Sequence, residues 1–147
     1  AAAGIGTVTK VLTTEHENFK MAPITTTRER RESEDSDRKY YFIAKEEFEK
    51  NIVEDKFIEY VLYAGNYYGT SKESVFSMLN SGINVILALG YESAHKVKEA
   101  YHAAITVNIL SSSGENLIAQ KQNADIVLVN ENPKDTAKQL VKQVENL

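Results

Sequence analysis

The chain opens Ala1-Ala2-Ala3-Gly4-Ile5-Gly6-Thr7-Val8, which invites comparison with the phosphate-binding loop G-x-x-x-x-G-K-[ST]. In that loop backbone N–H groups wrap the phosphates, the lysine meets the terminal phosphates and the hydroxyl holds Mg²⁺. With Gly6 on the second glycine, Ala1 takes the first glycine position, Thr7 the lysine position and Val8 the hydroxyl position. Lys10 lies about one helical turn further on, where its ammonium points away from a phosphate in the loop. Gly4, Gly6, Thr7 and Val8 thus form a degenerate phosphate loop, or else a tight turn kept for packing. No cysteine is present, which excludes a thiol nucleophile, a disulfide framework and a thiolate metal site. Ser111-Ser112-Ser113-Gly114 lacks the G-x-S-x-G frame of a hydrolase nucleophile. His16, between Glu15 and Glu17, reads as a solvated helix face, and His95 and His102 as helix surface, because no second histidine stands at i+4 for a metal.

The elements that must position these groups follow from periodicity. Val8, Val11 and Leu12 predict one apolar helix face running toward Phe19, and Pro23 to Thr27 predict extended backbone. Arg28 to Lys39 is almost entirely charged or hydroxylic and reads as exposed loop. Tyr40 to Ile43 predicts a strand, Lys45 to Ile52 a helix with Phe48 and Ile52 on one face, and Phe57 to Tyr63 a half-buried strand. Gly65-Asn66 is a turn signal, and a helix capped by Thr70 or Ser71 follows. Apolar runs at Ile83 to Leu89, Ile105 to Leu110 and Ile126 to Val129 alternate with helical spacing at Ser93 to Tyr101 and Pro133 to Leu147. In the last helix Ala137, Leu140, Val141 and Val144 should face the core. Buried strands alternating with amphipathic helices predict an α/β fold with a parallel sheet flanked by helices.

The chain's 147 residues, 42% hydrophobic, fit a single domain. A net charge of −4 argues against general affinity for nucleic acid or anionic membrane, so anion binding must be local. No apolar run reaches the roughly 18 residues of a membrane span, and a cytoplasmic location is expected. The start has neither an initiator methionine nor a strand ahead of the glycine turn, which reads as an excerpt of a longer chain lacking its first strand.

Between Thr26 and Ser71 stand Thr26-Thr27-Arg28-Glu29-Arg30-Arg31-Glu32-Ser33-Glu34, Lys39-Tyr40-Tyr41-Phe42, Phe57-Ile58-Glu59-Tyr60 and Gly65-Asn66-Tyr67-Tyr68-Gly69-Thr70. In order and spacing these resemble the guanylate kinase family, with its T-T-R-x-x-R-x-G-E, D-Y-x-F, F-[IL]-E and G-N-x-Y-G-[TS]. The likeness continues more weakly through Val85 to Leu89 and Asp125 to Asn130. It implies a P-loop NTPase-like core with a small mixed β/α GMP-binding subdomain at about 28–82. It also implies that Arg28, Arg31, Tyr40 and Tyr68 hold the GMP phosphate, that Glu34 braces the arginine loop, and that Glu59 and Thr70 read the guanine edge. Taken alone, the two arginines read as a solvated charge run and the two tyrosines as sheet-packing aromatics.

The departures bear on function. A guanine-reading serine of the family is Ile24, and the loop glycine before Glu34 is Ser33, which blunts guanine selectivity. The family's L-D-[IVL]-D strand end reads Leu87-Ala88-Leu89-Gly90, so both acids are gone. The arginine-bearing lid is reduced or absent, since Ser111 to Ala124 carries only Lys121 as a basic residue. Phosphoryl transfer rests on positioning and positive charge, so the expectation is a catalytically degenerate domain. It resembles those of the membrane-associated guanylate kinase homologue scaffolds, binding GMP or a phosphorylated protein partner and taking no cofactor. The alternative is a guanylate kinase, active or vestigial, moving phosphoryl from ATP to GMP with Mg²⁺. A third is a structural module without ligand.

Overall fold

The computed structural model describes residues 4–31, 40–111 and 124–147. Ser33, Glu34 and Lys121, and with them most of the segment expected to hold the reduced lid, lie outside these residues. The element order is α1 (Ile5–Glu15), β1 (Phe19–Met21), β2 (Ile24–Thr26), β3 (Tyr40–Phe42), α2 (Lys45–Val53), β4 (Phe57–Tyr63), β5 (Asn66–Ser71), α3 (Lys72–Asn80), β6 (Asn84–Ile86), α4 (Tyr91–Ala100), β7 (Val107–Ser111), β8 (Ile126–Asn130) and α5 (Pro133–Glu145). The chain divides into two compact units, Asn18–Val97 on one side and Ala1–Glu17 with Lys98–Leu147 on the other.

The middle unit holds a four-stranded mixed sheet in the order β3-β2-β5-β4 and a parallel β1-β6 pair. β2 runs parallel to β3 and antiparallel to β5, and β4 and β5 form a hairpin. The hairpin turn falls on Ala64 (φ 50°) and Gly65 (φ 83°), one residue earlier than the sequence signal, and Asn66 already belongs to β5. Two positive φ values in a two-residue loop match the twist of the flanking strands, and Ala64 bears the strain that glycine or asparagine would avoid. The ladder shifts register between Phe57 and Glu59. This bulge brings Phe57 onto the same face as Tyr60, which strict alternation would forbid.

On that face α2 sets Phe48, wholly buried, against Phe57 at 4.4 Å and Tyr67 at 4.8 Å between ring centroids. Gly69 makes the approach possible, because a Cβ there would stand 2.9 Å from both Phe48 and Phe57. The helix after β5 is capped by Ser71, whose hydroxyl accepts from the Ser74 N–H at 3.1 Å. Thr70, the other candidate, points elsewhere. The strand expected over Ile83 to Leu89 shortens to Asn84–Ile86, since β1 offers it only three partners.

In the other unit β7 and β8 pair in parallel, with Leu110, Ile126 and Leu128 buried. Helix α1 buries Val8 and Leu12, and ends at Glu15, short of the run toward Phe19. Helix α5 covers β8 and α1 with Ala137, Leu140 and Val141. Its start is fixed by Asn132, whose side chain accepts from the Lys134 and Asp135 N–H groups, and by Pro133 in the first turn.

The head of the β7–β8 pair is clasped by Thr106 and Asp125. The carboxylate accepts the Thr106 N–H at 2.9 Å and its hydroxyl at 3.2 Å, while the Asp125 N–H donates to the same hydroxyl at 3.0 Å. Lys98 stands 3.1 Å from the carboxylate. The backbone hydrogen bond from Thr106 and, after it, Lys98 hold the Asp125 carboxyl below its usual range. A carboxyl depressed on folding contributes stability that is full above its ordinary pKa and is lost as pH falls through the lowered value. Thermal melts of Asp125→Asn should therefore fall less steeply than wild type below about pH 4.

Candidate functional site

Residues opposed across a ladder share one face of the sheet. The pairs Ile24↔Tyr40, Thr26↔Tyr68, Val61↔Tyr68 and Glu59↔Thr70 therefore place Ile24, Tyr40, Tyr68, Thr70 and Glu59 on one side, away from the aromatic layer under α2. Tyr67 and Tyr68, adjacent in sequence, part company here. Tyr67 stacks on Phe48 and donates its hydroxyl to Glu49 at 3.2 Å. Burial, and after it the Glu49 carboxylate, push its phenol above the usual value. Tyr68, half-buried, stands on the opposite face.

At the β4 end of that face Thr70, buried, donates its hydroxyl to Glu59 Oε1 at 2.9 Å. The bond fixes the rotamer of the carboxylate, an acceptor-only group whose two oxygens match a planar group with two adjacent N–H donors. At the β3 end the Arg28 guanidinium lies over the ring of Tyr40, 4.9 Å from its centroid, and 5.3 Å from that of Phe42. Its Nη1 donates to the Glu29 carbonyl at 3.1 Å. Stacking on two rings holds the planar fork in place, and a guanidinium so held has the geometry to meet an oxyanion. Arg30 lies 4.6 Å from the Phe42 centroid. Arg31 is exposed at the end of the described loop, and Glu34 lies beyond it.

Two threonines aim Arg28. Thr26, wholly buried, donates its hydroxyl to the Tyr67 carbonyl at 2.8 Å and accepts the Arg28 N–H at 3.3 Å. The Thr27 hydroxyl accepts the Tyr67 N–H at 2.9 Å, and the Thr27 N–H donates to the Tyr67 carbonyl at 3.2 Å. The chain is thus clamped to β5 where it leaves β2. Sequence reasoning missed these positioning roles and that of Arg30. The run Thr25-Thr26-Thr27 at the end of β2 was the available signal.

In the other unit Gly4 caps α1 with φ 75°, and a Cβ there would meet Asn130 Nδ2 at 2.6 Å, so glycine is required on both counts. Gly6 and Thr7 are exposed in the first turn, whereas Val8 is wholly buried. Val8 is a core residue. Ala88 and Gly90 bring no oxygen ligand, and among the described residues no group of three or more His, Asp or Glu side chains could hold a metal ion. The positions where the loop motif would hold magnesium do not fit the ion. His16 follows α1, His95 stacks with Tyr91 at 6.2 Å, and the His102 carbonyl accepts from Lys98 at 2.8 Å.

The family model described as guanylate kinase matches residues 1–147. The guanylate kinase of Clostridium tetani is 44% identical over 117 residues, 80% of this chain and 56% of that protein. The chain thus spans little more than half the length of the clostridial relatives it matches. The guanylate kinase of Prochlorococcus marinus is 28% identical over 99% of this chain and 92% of that protein. Among solved structures, the crystal structure of guanylate kinase from Anaplasma phagocytophilum superposes with a TM-score of 0.74 at 25% identity, over 93% of this chain and 80% of that one. The α/β fold is therefore the expected P-loop NTPase-like one.

These findings correct the functional expectation. The relatives are named as guanylate kinases, which overturns the expectation of a catalytically degenerate scaffold module that binds phosphorylated protein. The expectation of no cofactor falls with it, because a kinase consumes a phosphoryl donor. Four altered positions, Thr7, Val8, Ala88 and Gly90, and the reduced lid were weighed more heavily than the likeness along the rest of the chain. No helix among the described residues is long and apolar enough to cross a membrane.

Proposed function

The chain belongs to the guanylate kinase family, and from that footing we propose that it moves phosphoryl from ATP, supplied with Mg²⁺, to GMP, with GMP lying across the face of the four-stranded sheet opposite the aromatic layer. The observation that carries this reading is the pairing of two unlike ends on one face. Glu59 fixed by Thr70 stands on β4 and β5, and Arg28 stacked on Tyr40 stands beside β3. Strands β4 and β3 are separated by three strand spacings, about 14 Å, the scale of a mononucleotide with its hydrogen-bonding partners.

In this reading Arg28, Arg31, Tyr40 and Tyr68 take the phosphate, two guanidinium forks and two phenols suiting its three oxygens, and Glu34 braces their loop. Glu59 accepts from the guanine ring N–H and exocyclic amine, and Thr70 holds it there. The acceptor phosphate, so placed, attacks the γ-phosphorus of ATP in line as ADP leaves. Ile24 brings no hydroxyl to the face, so recognition of the base rests on Glu59 and Thr70.

Glu59→Gln tests the base subsite. An amide offers one acceptor and one donor where the carboxylate offers acceptors only. A charge-assisted bond contributes about 1.5–3 kcal/mol, so the KM for GMP should rise roughly 10- to 100-fold while kcat changes little. An unchanged KM would remove Glu59 from the subsite.

A further inference from the structure

Two cations converge on Phe42. Thr26 is opposed to Phe42 across one ladder and to Tyr68 across the other, so Phe42 stands on the same sheet face as Tyr68 and, two residues along β3, Tyr40. The Tyr40 and Phe42 rings stack with 5.9 Å between centroids and 28° between planes, and together they floor the β3 end of that face. Arg28 lies over both rings. Arg30, two residues further on, lies over Phe42 at 4.6 Å, closer to it than Arg28 at 5.3 Å. Both distances run to one centroid, so the two guanidinium carbons stand within about 10 Å of each other, the range over which charges act at about 0.1 M salt.

An arginine in a solvated charge run keeps its head in water. Arg30 instead brings its head to a ring that Arg28 already covers. Two like charges gathered over one ring repel each other, and the attraction of an exposed ring for each of them is small. A doubly charged anion above the same floor attracts both and offsets that repulsion. We propose that Arg30 is a third guanidinium of the acceptor-phosphate subsite and that it makes the subsite select a dianion over a monoanion. This rests on the placement of GMP given above. The T-T-R-x-x-R pattern leaves the position of Arg30 open, so the third cation is not implied by the resemblance. Glu59 stands three strand spacings away, about 14 Å, so Arg30 acts on the phosphate and leaves the base to Glu59 and Thr70.

A cation acts on each unit of charge in its ligand, so its removal costs a dianion about the square of what it costs a monoanion. Guanosine 5′-sulfate supplies the comparison, since it has the base, sugar and three terminal oxygens of GMP but one negative charge, whereas the GMP phosphate is close to −2 at pH 8. In calorimetric titrations at that pH, Arg30→Gln should weaken GMP about tenfold and the sulfate only about threefold. The dependence of GMP affinity on salt should become shallower in Arg30→Gln. Arg30→Lys keeps the charge and should keep the wild-type preference for the dianion. Arg30 is exposed in a loop, so the melting temperature should stay within a degree or two of wild type. With GMP bound by the wild type, equal weakening of the two ligands in Arg30→Gln, no weakening of either, or Arg30→Lys behaving as Arg30→Gln would overturn the role of Arg30 and leave the GMP site standing. A wild type that binds no GMP would overturn both.

Discussion

Replacing Arg28 with alanine should lower GMP affinity by about 100-fold or more while shifting the melting temperature by only a few degrees. The side chain is stacked on Tyr40 and Phe42 at 4.9 and 5.3 Å and donates to the Glu29 carbonyl. Such stacking is worth about 0.5–1 kcal/mol for a partly exposed group, which is the scale of the stability lost. Against a phosphate the same guanidinium can make two charge-assisted bonds of about 1.5–3 kcal/mol each. The ratio of these magnitudes separates the two readings of the residue. If Arg28 were only part of a solvated charge run, both quantities would stay put. Calorimetric titration with GMP beside thermal melts gives both, and an unchanged affinity would remove Arg28 from the phosphate subsite.

Thr7→Lys should raise the rate of phosphoryl transfer by about 100-fold. Thr7 takes the lysine position of the loop motif and is exposed in the first turn of α1, so the longer side chain enters solvent without disturbing packing. Lysine is also the better helix former. A preorganised positive contact to a transferring phosphoryl group is worth about 2.7–4 kcal/mol, or roughly 100- to 1000-fold in rate. The neighbouring position cannot be altered as cheaply. Val8 is wholly buried, and a hydroxyl there would cost about 1–3 kcal/mol of stability if left without a partner. The expected outcome is therefore a gain in kcat with Thr7→Lys and a loss of folded protein with Val8→Ser. Equal turnover in Thr7→Lys and wild type would show that this loop does not meet the donor phosphates.

Strand β4 was legible to the residue, because the run of aromatic and branched residues from Phe57 to Tyr63 is a local pattern, although its burial does not alternate from Tyr60 to Tyr63. Its bulge was not, because nothing in the sequence marks Ile58 as the residue that slips. The separation of Tyr67 from Tyr68 follows from strand periodicity once β5 is placed, but which of them is covered depends on α2, a tertiary fact. Gly69 stood in the sequence only as part of the G-N-x-Y-G-[TS] pattern and proves to be the clearance for Phe48 and Phe57. The Leu87 to Gly90 end of an apolar run looked like strand, yet β6 stops at Ile86 with β1.

The candidate site shows the same division. Arg28, Tyr40, Glu59, Tyr68 and Thr70 were identified through the family resemblance, and the strand register gathers the four strand residues on one face. Thr26 and Thr27, which aim Arg28, were passed over because the bond from the Thr26 hydroxyl to the Tyr67 carbonyl and that from the Tyr67 N–H to the Thr27 hydroxyl are invisible until the strands are paired. The conclusion about activity failed for a different reason. It treated the groups missing at Thr7, Val8, Ala88 and Gly90 and from the lid as decisive, whereas the relatives along most of its length are named as kinases.

The most direct measurement is GDP formation by the wild-type chain supplied with ATP, Mg²⁺ and GMP, run beside Arg28→Ala to exclude a contaminating kinase. Turnover in the wild type that disappears in Arg28→Ala is the predicted result. Binding of GMP with no GDP formed, or formation of GDP at the same rate in both proteins, would contradict the proposed phosphoryl transfer by this chain.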